Sequence, residues 1–274
     1  MRKWLAFTFF ISLLLPALAT AQSTFDGTWK FDLKTVQFPS KPDVYLLQDG
    51  IYNCKTCVPV IDIKADGQDQ KVSGHPYYDT VSIKVVDDHS IEETDKKNGK
   101  TVATSKTLVS ADGNTLTFEY SDSSNTNGDP VTGKGEETRL AKGPAGSHAI
   151  SGSWRMSKMD ALSENAVFVT FKVSGDSLTM TNQTGQSYTA KLDGTETPVA
   201  SDAFPSDAMF KILSTKAAWQ GSALIITQTT SFQDTKGTLQ STFTLSDDGK
   251  TLTKTTHVKM DMGEFDSKSV YDKV

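Results

Sequence analysis

Two cysteines, four histidines and two glutamate doublets are the residues of this chain whose types and spacing could do chemistry. Cys54-Lys55-Thr56-Cys57 has the spacing of a redox dithiol or of half a metal site. A redox dithiol needs its first thiol at a helix N-terminus, where the helix dipole lowers the pKa. Here Val58-Pro59-Val60-Ile61-Asp62-Ile63 follows, which reads as a strand, and Pro59 weakens a helix further. In an oxidising compartment the spacing predicts a local Cys54–Cys57 disulfide, with metal binding and thiol redox chemistry as open alternatives. His75 and His89 lie too far apart to complete a compact zinc module, whose histidines sit about 3–5 residues apart. The doublets Glu92-Glu93 and Glu136-Glu137 place neighbouring carboxylates on opposite faces of a strand, so neither doublet converges as an acid/base pair. They read as solvated faces, the inward member pairing with a lysine or a hydroxyl. No Gly-x-Ser-x-Gly elbow, phosphate loop or calcium loop occurs. No catalytic residue, metal ligand or cofactor is predicted, and an enzyme using Cys54 and Cys57 is the last of three readings.

The elements that must position these residues come from an internal repeat. Phe25-Asp26-Gly27-Thr28-Trp29-Lys30 returns as Ile150-Ser151-Gly152-Ser153-Trp154-Arg155, and Lys64-Ala65-Asp66-Gly67 returns as Lys191-Leu192-Asp193-Gly194. Ser110 to Thr117 (SADGNTLT) returns as Ser246 to Thr253 (SDDGKTLT). The offsets of 125, 127 and 136 keep the order and give the second copy a small insertion. The division is a leader over 1–21, a first repeat over 22–141, a Gly/Pro linker over 142–149 and a second repeat over 150–274.

Within each copy the period is two. Val81, Ile83 and Val85 alternate with polar neighbours, as do Leu116, Phe118 and Tyr120. In the second copy Val167, Val169, Phe171 and Val173 share a face. Asp66-Gly67, Asn98-Gly99, Asp112-Gly113, Asp193-Gly194 and Asp248-Gly249 are hairpin turns. Asp207 to Trp219 has helical composition. The repeat assigns Ala208–Leu213 to a strand and leaves Lys216–Trp219 open. Each copy is therefore an antiparallel meander of about eight strands, and closure into a small barrel hides both its edges and its apolar face. The fold class is all-β, two tandem meanders each closed as a small barrel, with a two-sheet sandwich as the alternative.

Arg2 and Lys3, the apolar run Trp4–Leu15 and Ala19-Thr20-Ala21 have the pattern of a cleaved signal peptide, with cleavage after Ala21. The apolar run is shorter than the ~20 residues that cross a bilayer, so the mature protein is expected to be secreted or periplasmic and not membrane-spanning. Apolar residues are 36% and charged residues 22% of the chain, enough to bury a core. The net charge of −5, which loss of Arg2 and Lys3 would take to −7, leaves no basic surplus for nucleic acid.

Gly27-Thr28-Trp29 and Gly152-Ser153-Trp154, each opening the first strand of a meander, resemble the Gly-x-Trp start of lipocalins and related calycins. The whole pattern also resembles a group of secreted bacterial proteins with DGTWK starts and DGKTLT hairpins, which implies no activity. The lipocalin resemblance implies that Trp29 and Trp154 each pack across one barrel end, and that the opposite mouth takes a small hydrophobic ligand. The first functional reading is thus a carrier or sensor for a small apolar molecule. Its lining would be Val81, Ile83, Val85, Leu116, Phe118 and Tyr120, with Tyr77 and Tyr78 of His75-Pro76-Tyr77-Tyr78 on the rim. The second is a cell-envelope structural or interaction protein with filled barrels, recognising partners through Val36–Asp43 or Asp122–Gly135. The oligomeric state is not predicted.

Overall fold

The computed structural model describes residues 25–38, 40–57, 59–75, 77–124, 129–182, 187–200, 210–232, 235–260 and 263–274. The signal-peptide assignment and Ala208–Met209 lie outside these residues. In chain order the strands are β1 (Gly27–Phe31), β2 (Asp43–Gln48), β3 (Ile51–Cys54), β4 (Ile61–Lys64), β5 (Gln70–Lys71), β6 (Thr80–Asp87), β7 (Ser90–Lys97), β8 (Lys100–Val109), β9 (Thr115–Asp122) and β10 (Val131–Lys142). The second series is β11 (Gly152–Leu162), β12 (Phe168–Ser174), β13 (Ser177–Asn182), β14 (Ser187–Lys191), β15 (Thr197–Pro198), β16 (Phe210–Gln220), β17 (Ala223–Phe232), β18 (Thr235–Leu245), β19 (Thr251–Met260) and β20 (Gly263–Lys273).

These strands form two antiparallel, barrel-like sheets of ten strands each. The surplus over the expected eight includes the two-residue β5 and β15. Single bridges, Asp66 with Lys84 and Asp193 with Ala218, draw the two ends of each sheet toward one another. Asn98-Gly99, Asp112-Gly113 and Asp248-Gly249 turn between paired strands as predicted, with Asn98 and Gly99 at φ of 52° and 77°. Asp66-Gly67 and Asp193-Gly194 are not hairpins: the strands on either side of each lie at opposite ends of a sheet, and the aspartate forms the single bridge between those ends.

The sheets do not follow the repeats. β1, from the first copy, pairs with β12 and β20 of the second. β11, which opens the second copy, pairs with β10 and β2 of the first. The first barrel is therefore β2–β11, and the second is β12–β20 closed by β1. The Gly/Pro stretch after Lys142 joins β10 to β11 within one sheet and is no inter-barrel linker. The chain passes between sheets at two other places. One is a 3-10 turn, Leu33–Thr35, capped by Asp32, whose carboxylate accepts from Lys34 N at 2.9 Å. The other is a single helical turn, Glu164–Val167.

Each barrel has one closed end built the same way. Trp29 and Trp154 are fully buried, and their indole N–H groups donate to Phe25 O at 3.0 Å and Ile150 O at 2.8 Å. Gly27 and Gly152, two residues earlier, have φ of +122° and +136°, where a side chain is strained. At Gly152 a Cβ would also meet Ala141 O at 2.2 Å, so this position is closed to any other residue. A cation directly across on the paired strand covers each indole: Arg139 lies 3.8 Å and Lys273 Nζ 5.2 Å from the ring centroid. Arg139 also donates to Gly113 O, to Ser151 O at 2.7 Å and to Ala149 O at 2.6 Å, tying the β10–β11 connection down.

The apolar floor of the first barrel comprises Leu47, Ile63, Val81, Ile83, Ile91 and Leu116 around Trp154. That of the second comprises Phe171, Leu178, Ala217, Leu224, Phe243 and Leu252 around Trp29. Lys216–Trp219 is strand throughout, because full cross-strand pairing of β16 with β17 outweighs its local helical composition. The expected recognition loop Asp122–Gly135 is shorter than predicted, since Val131–Gly135 belongs to β10.

Candidate functional site

Above the floor of the first barrel lies a polar layer. On β7 the inward residues after Ile91 are Glu93 and Asp95. Glu93 pairs across the sheet with Ser105, and Ser105 with Tyr120. Glu137 faces in from β10 beside Leu116 and is 6% exposed. Tyr45 and Tyr52 face them from β2 and β3, their rings stacked 6.3 Å apart. Burial pushes both phenols well up, and the nearby carboxylates of Glu137 and Glu93 add to the effect at Tyr45.

Glu93 and Asp95 are successive inward residues of β7, close enough to perturb one another. Both are held well above the usual carboxylate range, first by burial and, at Asp95, by the neighbouring Glu93. Glu137 is pushed up to about 7 by burial and by Asp43. Asp95 Oδ1 and Glu137 Oε2 are buried without a hydrogen-bond partner. Lys84 and Lys106 pair with the outward Glu92, and Lys134 with Glu119. The inward members of the two doublets, Glu93 and Glu137, thus lie near tyrosines, with no lysine ion pair among the described residues.

The residues predicted to line a site divide into three groups. Val81, Ile83 and Leu116 are 0–2% exposed and belong to the packed floor. Phe118 and Tyr120 lie flat over β10, where Gly135 and Gly133 leave room; a Cβ at either glycine would come within 2.7 Å of a ring. Val85 does not face in: the register slips after it, and it stands 40% exposed at the end of the barrel. Of the rim tyrosines, Tyr78 stacks on buried His75 at 4.6 Å and has its phenol raised by burial and by Asp95 and Glu93. Tyr77 is raised by burial and by Asp122. Cys54 and Cys57 form a disulfide, S–S 2.09 Å, that closes the β3–β4 loop against the floor, with Cys54 1% exposed. His89 bonds Val109 O through its ring at 3.1 Å and is held in its turn by Asp87.

The second barrel carries the same layer with different chemistry. Cross-strand register equates Glu93 with Ile226, Asp95 with Gln228, Glu137 with Tyr271 and Phe118 with Lys254. Its polar layer is Thr215, Gln228, Thr230, Ser241, Thr256 and Lys254, and no buried Asp or Glu lies on its described strands. Glu93, Asp95 and Glu137 were not predicted as site residues, nor Lys254. The signal was their alternation with Ile91, the β10 glycines and Leu252, outweighed by reading charged doublets as solvated.

Surface clefts among the described residues accompany these interiors. One of about 440 Å³ lies on the outside of β7–β9 among Glu92, Thr94, Thr104, Lys106 and Glu119. One of about 590 Å³ sits at the first barrel's end between His89 and His148. Another, about 560 Å³, lies where the chain leaves β1 for the first barrel, among Phe31, Leu33, Val36 and Met159.

Fold and site together define an all-β protein of two barrel-like sheets with a disulfide, in which no helix among the described residues is long and apolar enough to cross a membrane. No protein-family model matches the chain, and no curated protein or solved structure matches it.

Proposed function

We propose that the protein is a secreted or periplasmic lipocalin-like binding protein whose first barrel holds a small molecule with an apolar body and a protonated amine. The observation that carries this reading is the set Glu93, Asp95 and Glu137, turned inward beside Tyr45, Tyr52 and Tyr78 with two carboxylate oxygens unpartnered. A barrel serving only as a filled scaffold gains nothing from such groups. Buried carboxylates without counter-ions weaken a fold and are retained where a ligand answers them. A protonated amine supplies both the charge and the N–H donors, while the tyrosine rings offer apolar area and cation–π contact. This refines the apolar ligand expected from sequence.

The buried Gly-x-Trp tryptophan at one end of each barrel supports the lipocalin-like reading. The disulfide fits an oxidising compartment. Isothermal titration of the intact chain with octylamine, against octanol and octanoate, tests the proposal. Saturable octylamine binding weakened about tenfold or more by Glu93→Gln with Asp95→Asn is expected, the usual scale of a lost charge-assisted contact. Binding that the double variant leaves unchanged would overturn it.

A further inference from the structure

We infer that the second barrel contains a separate site for an organic monoanion, a carboxylate held by Lys254 and the hydroxyl and amide donors around it. This rests on residues of the second barrel alone and stands whether or not the first barrel takes an amine.

Lys254 lies on the inward face of β19 between Leu252 and Thr256, with Phe243 and Ser269 as its cross-strand partners. Its Nζ stands 5.8 Å from the Phe243 ring centroid and makes no ion pair among the described residues. On β17 and β16, Gln228 and Thr215 are direct cross-strand partners, and Thr230 is the next inward residue. Thr215 and Thr230 are 0% exposed and Gln228 7%. Thr215 Oγ1, Thr230 Oγ1 and Gln228 Nε2 all lack a hydrogen-bond partner. Tyr188, whose phenol interacts with the Gln228 side chain, donates to Met180 Sδ at 2.7 Å, and a thioether is a weak acceptor.

Buried polar groups in folded proteins are almost always satisfied, so several unpartnered ones in one layer point to a missing counterpart. The inventory decides its nature. An ammonium, an amide NH₂ and hydroxyls make the layer rich in donors, and the buried residues of this barrel include no Asp or Glu. The counterpart is then an acceptor with negative charge. One buried cation suits a single negative charge rather than a phosphate dianion. The lysine's own cross-strand neighbour is Phe243, and Ile226, Leu224 and Phe171 continue an apolar wall from it. A carboxylate on an apolar body meets all three conditions. In the first barrel the register positions of Lys254 and Gln228 are Phe118 and Asp95, so the same ligand would meet like charge there.

Isothermal titration of the full chain with octanoate, octanol and octylamine reads this directly. Octanoate is expected to bind at one site per chain, more tightly than octanol. Lys254→Met should weaken octanoate about tenfold or more, the scale of a lost charge-assisted hydrogen bond, while octylamine binding stays as in the wild type. Gln228→Leu with Thr215→Val, which keeps side-chain volume, should weaken octanoate severalfold and serves if the lysine variant does not fold. Absence of octanoate binding would overturn the inference, as would equal affinity for octanoate and octanol, or indifference to both variants; the buried groups would then hold water only. Failure of octylamine to bind bears on the first barrel and not on this site.

Discussion

The two barrels share a closed end and differ one layer above it. In both, a Gly-x-Trp tryptophan is buried under a cation from the strand it pairs with, and apolar residues fill the floor. Above that floor the first barrel turns three carboxyl groups inward and the second a lysine with hydroxyls and an amide. The chain thus keeps the packing that specifies the fold and varies the layer that does not. A floor position tolerates little, because interiors are close-packed. A polar layer between floor and mouth can exchange Glu for Ile, as at Glu93 and Ile226, without disturbing strand pairing. Repetition supplies architecture here, and divergence of one layer supplies two different interiors.

The exchange of first strands gives the sharpest way to break this comparison. If β1 closes the second barrel, deleting residues 1–31 removes Trp29 and the partner of both β12 and β20. Hydrogen exchange should then show loss of protection over 168–273 and retention over 43–162. Deprotection of the first barrel instead would mean that each repeat closes on its own strands. The single substitution Trp29→Ala should cost about 3–5 kcal/mol in denaturant unfolding, the usual range for a buried tryptophan. Its effect too should fall on the second barrel.

The next effect separates the interiors by pH. Glu137 is raised from 4.5 to about 7 in the folded protein. Below about 4.5 both states are protonated and the group is neutral to stability. Between about 4.5 and about 7 only the unfolded state ionises, so stability falls as pH rises, by up to about 3 kcal/mol at 1.36 kcal/mol per pKa unit. Urea midpoints should decline across that window and flatten in Glu137→Gln. Glu93 and Asp95, raised by burial, add in the same direction. Lys254, lowered by burial, acts at the alkaline end with opposite slope: the folded state gives up its proton first, so stability recovers as pH climbs toward 10.5. A midpoint independent of pH from 4.5 to 8 would contradict buried, unpaired carboxylates.

Reduction of Cys54–Cys57 ranks third. A cross-link over so short a loop constrains the unfolded chain little, so about 1–2 kcal/mol of the first barrel's stability should be lost, with the second unaffected. Reduced and oxidised protein compared by urea unfolding would show it.

Much of the fold is legible in the sequence, for physical reasons that can be named. Period-two alternation and Asp-Gly turns define strands locally, and both tryptophan ends follow from a repeated three-residue pattern. What escapes is what depends on partners distant in sequence. Nothing local in Gly27–Phe31 says that it pairs with Phe168–Phe171 rather than with its own repeat. The cysteines were readable because a proline and a strand followed them. The interior carboxyls were not, because charged doublets such as Glu92-Glu93 are ordinary on an exposed strand. Only the anchoring of Ile91 in the floor reveals which member faces in.

That doublet also supplies the smallest predicted effect. Glu92 faces solvent and pairs with Lys84 and Lys106, each at 3.3 Å, and exposed pairs of this kind contribute little. Glu92→Gln should leave the urea midpoint unchanged within error at any pH and lose what effect it has in high salt. Glu93→Gln, one residue on, should raise the midpoint at pH 8, because it removes a carboxylate buried without a counter-ion. It should do nothing at pH 4, where that group is already neutral. Equal behaviour of the two variants would mean that Glu93 is as hydrated as Glu92, and the contrast between the barrel interiors would lose its basis.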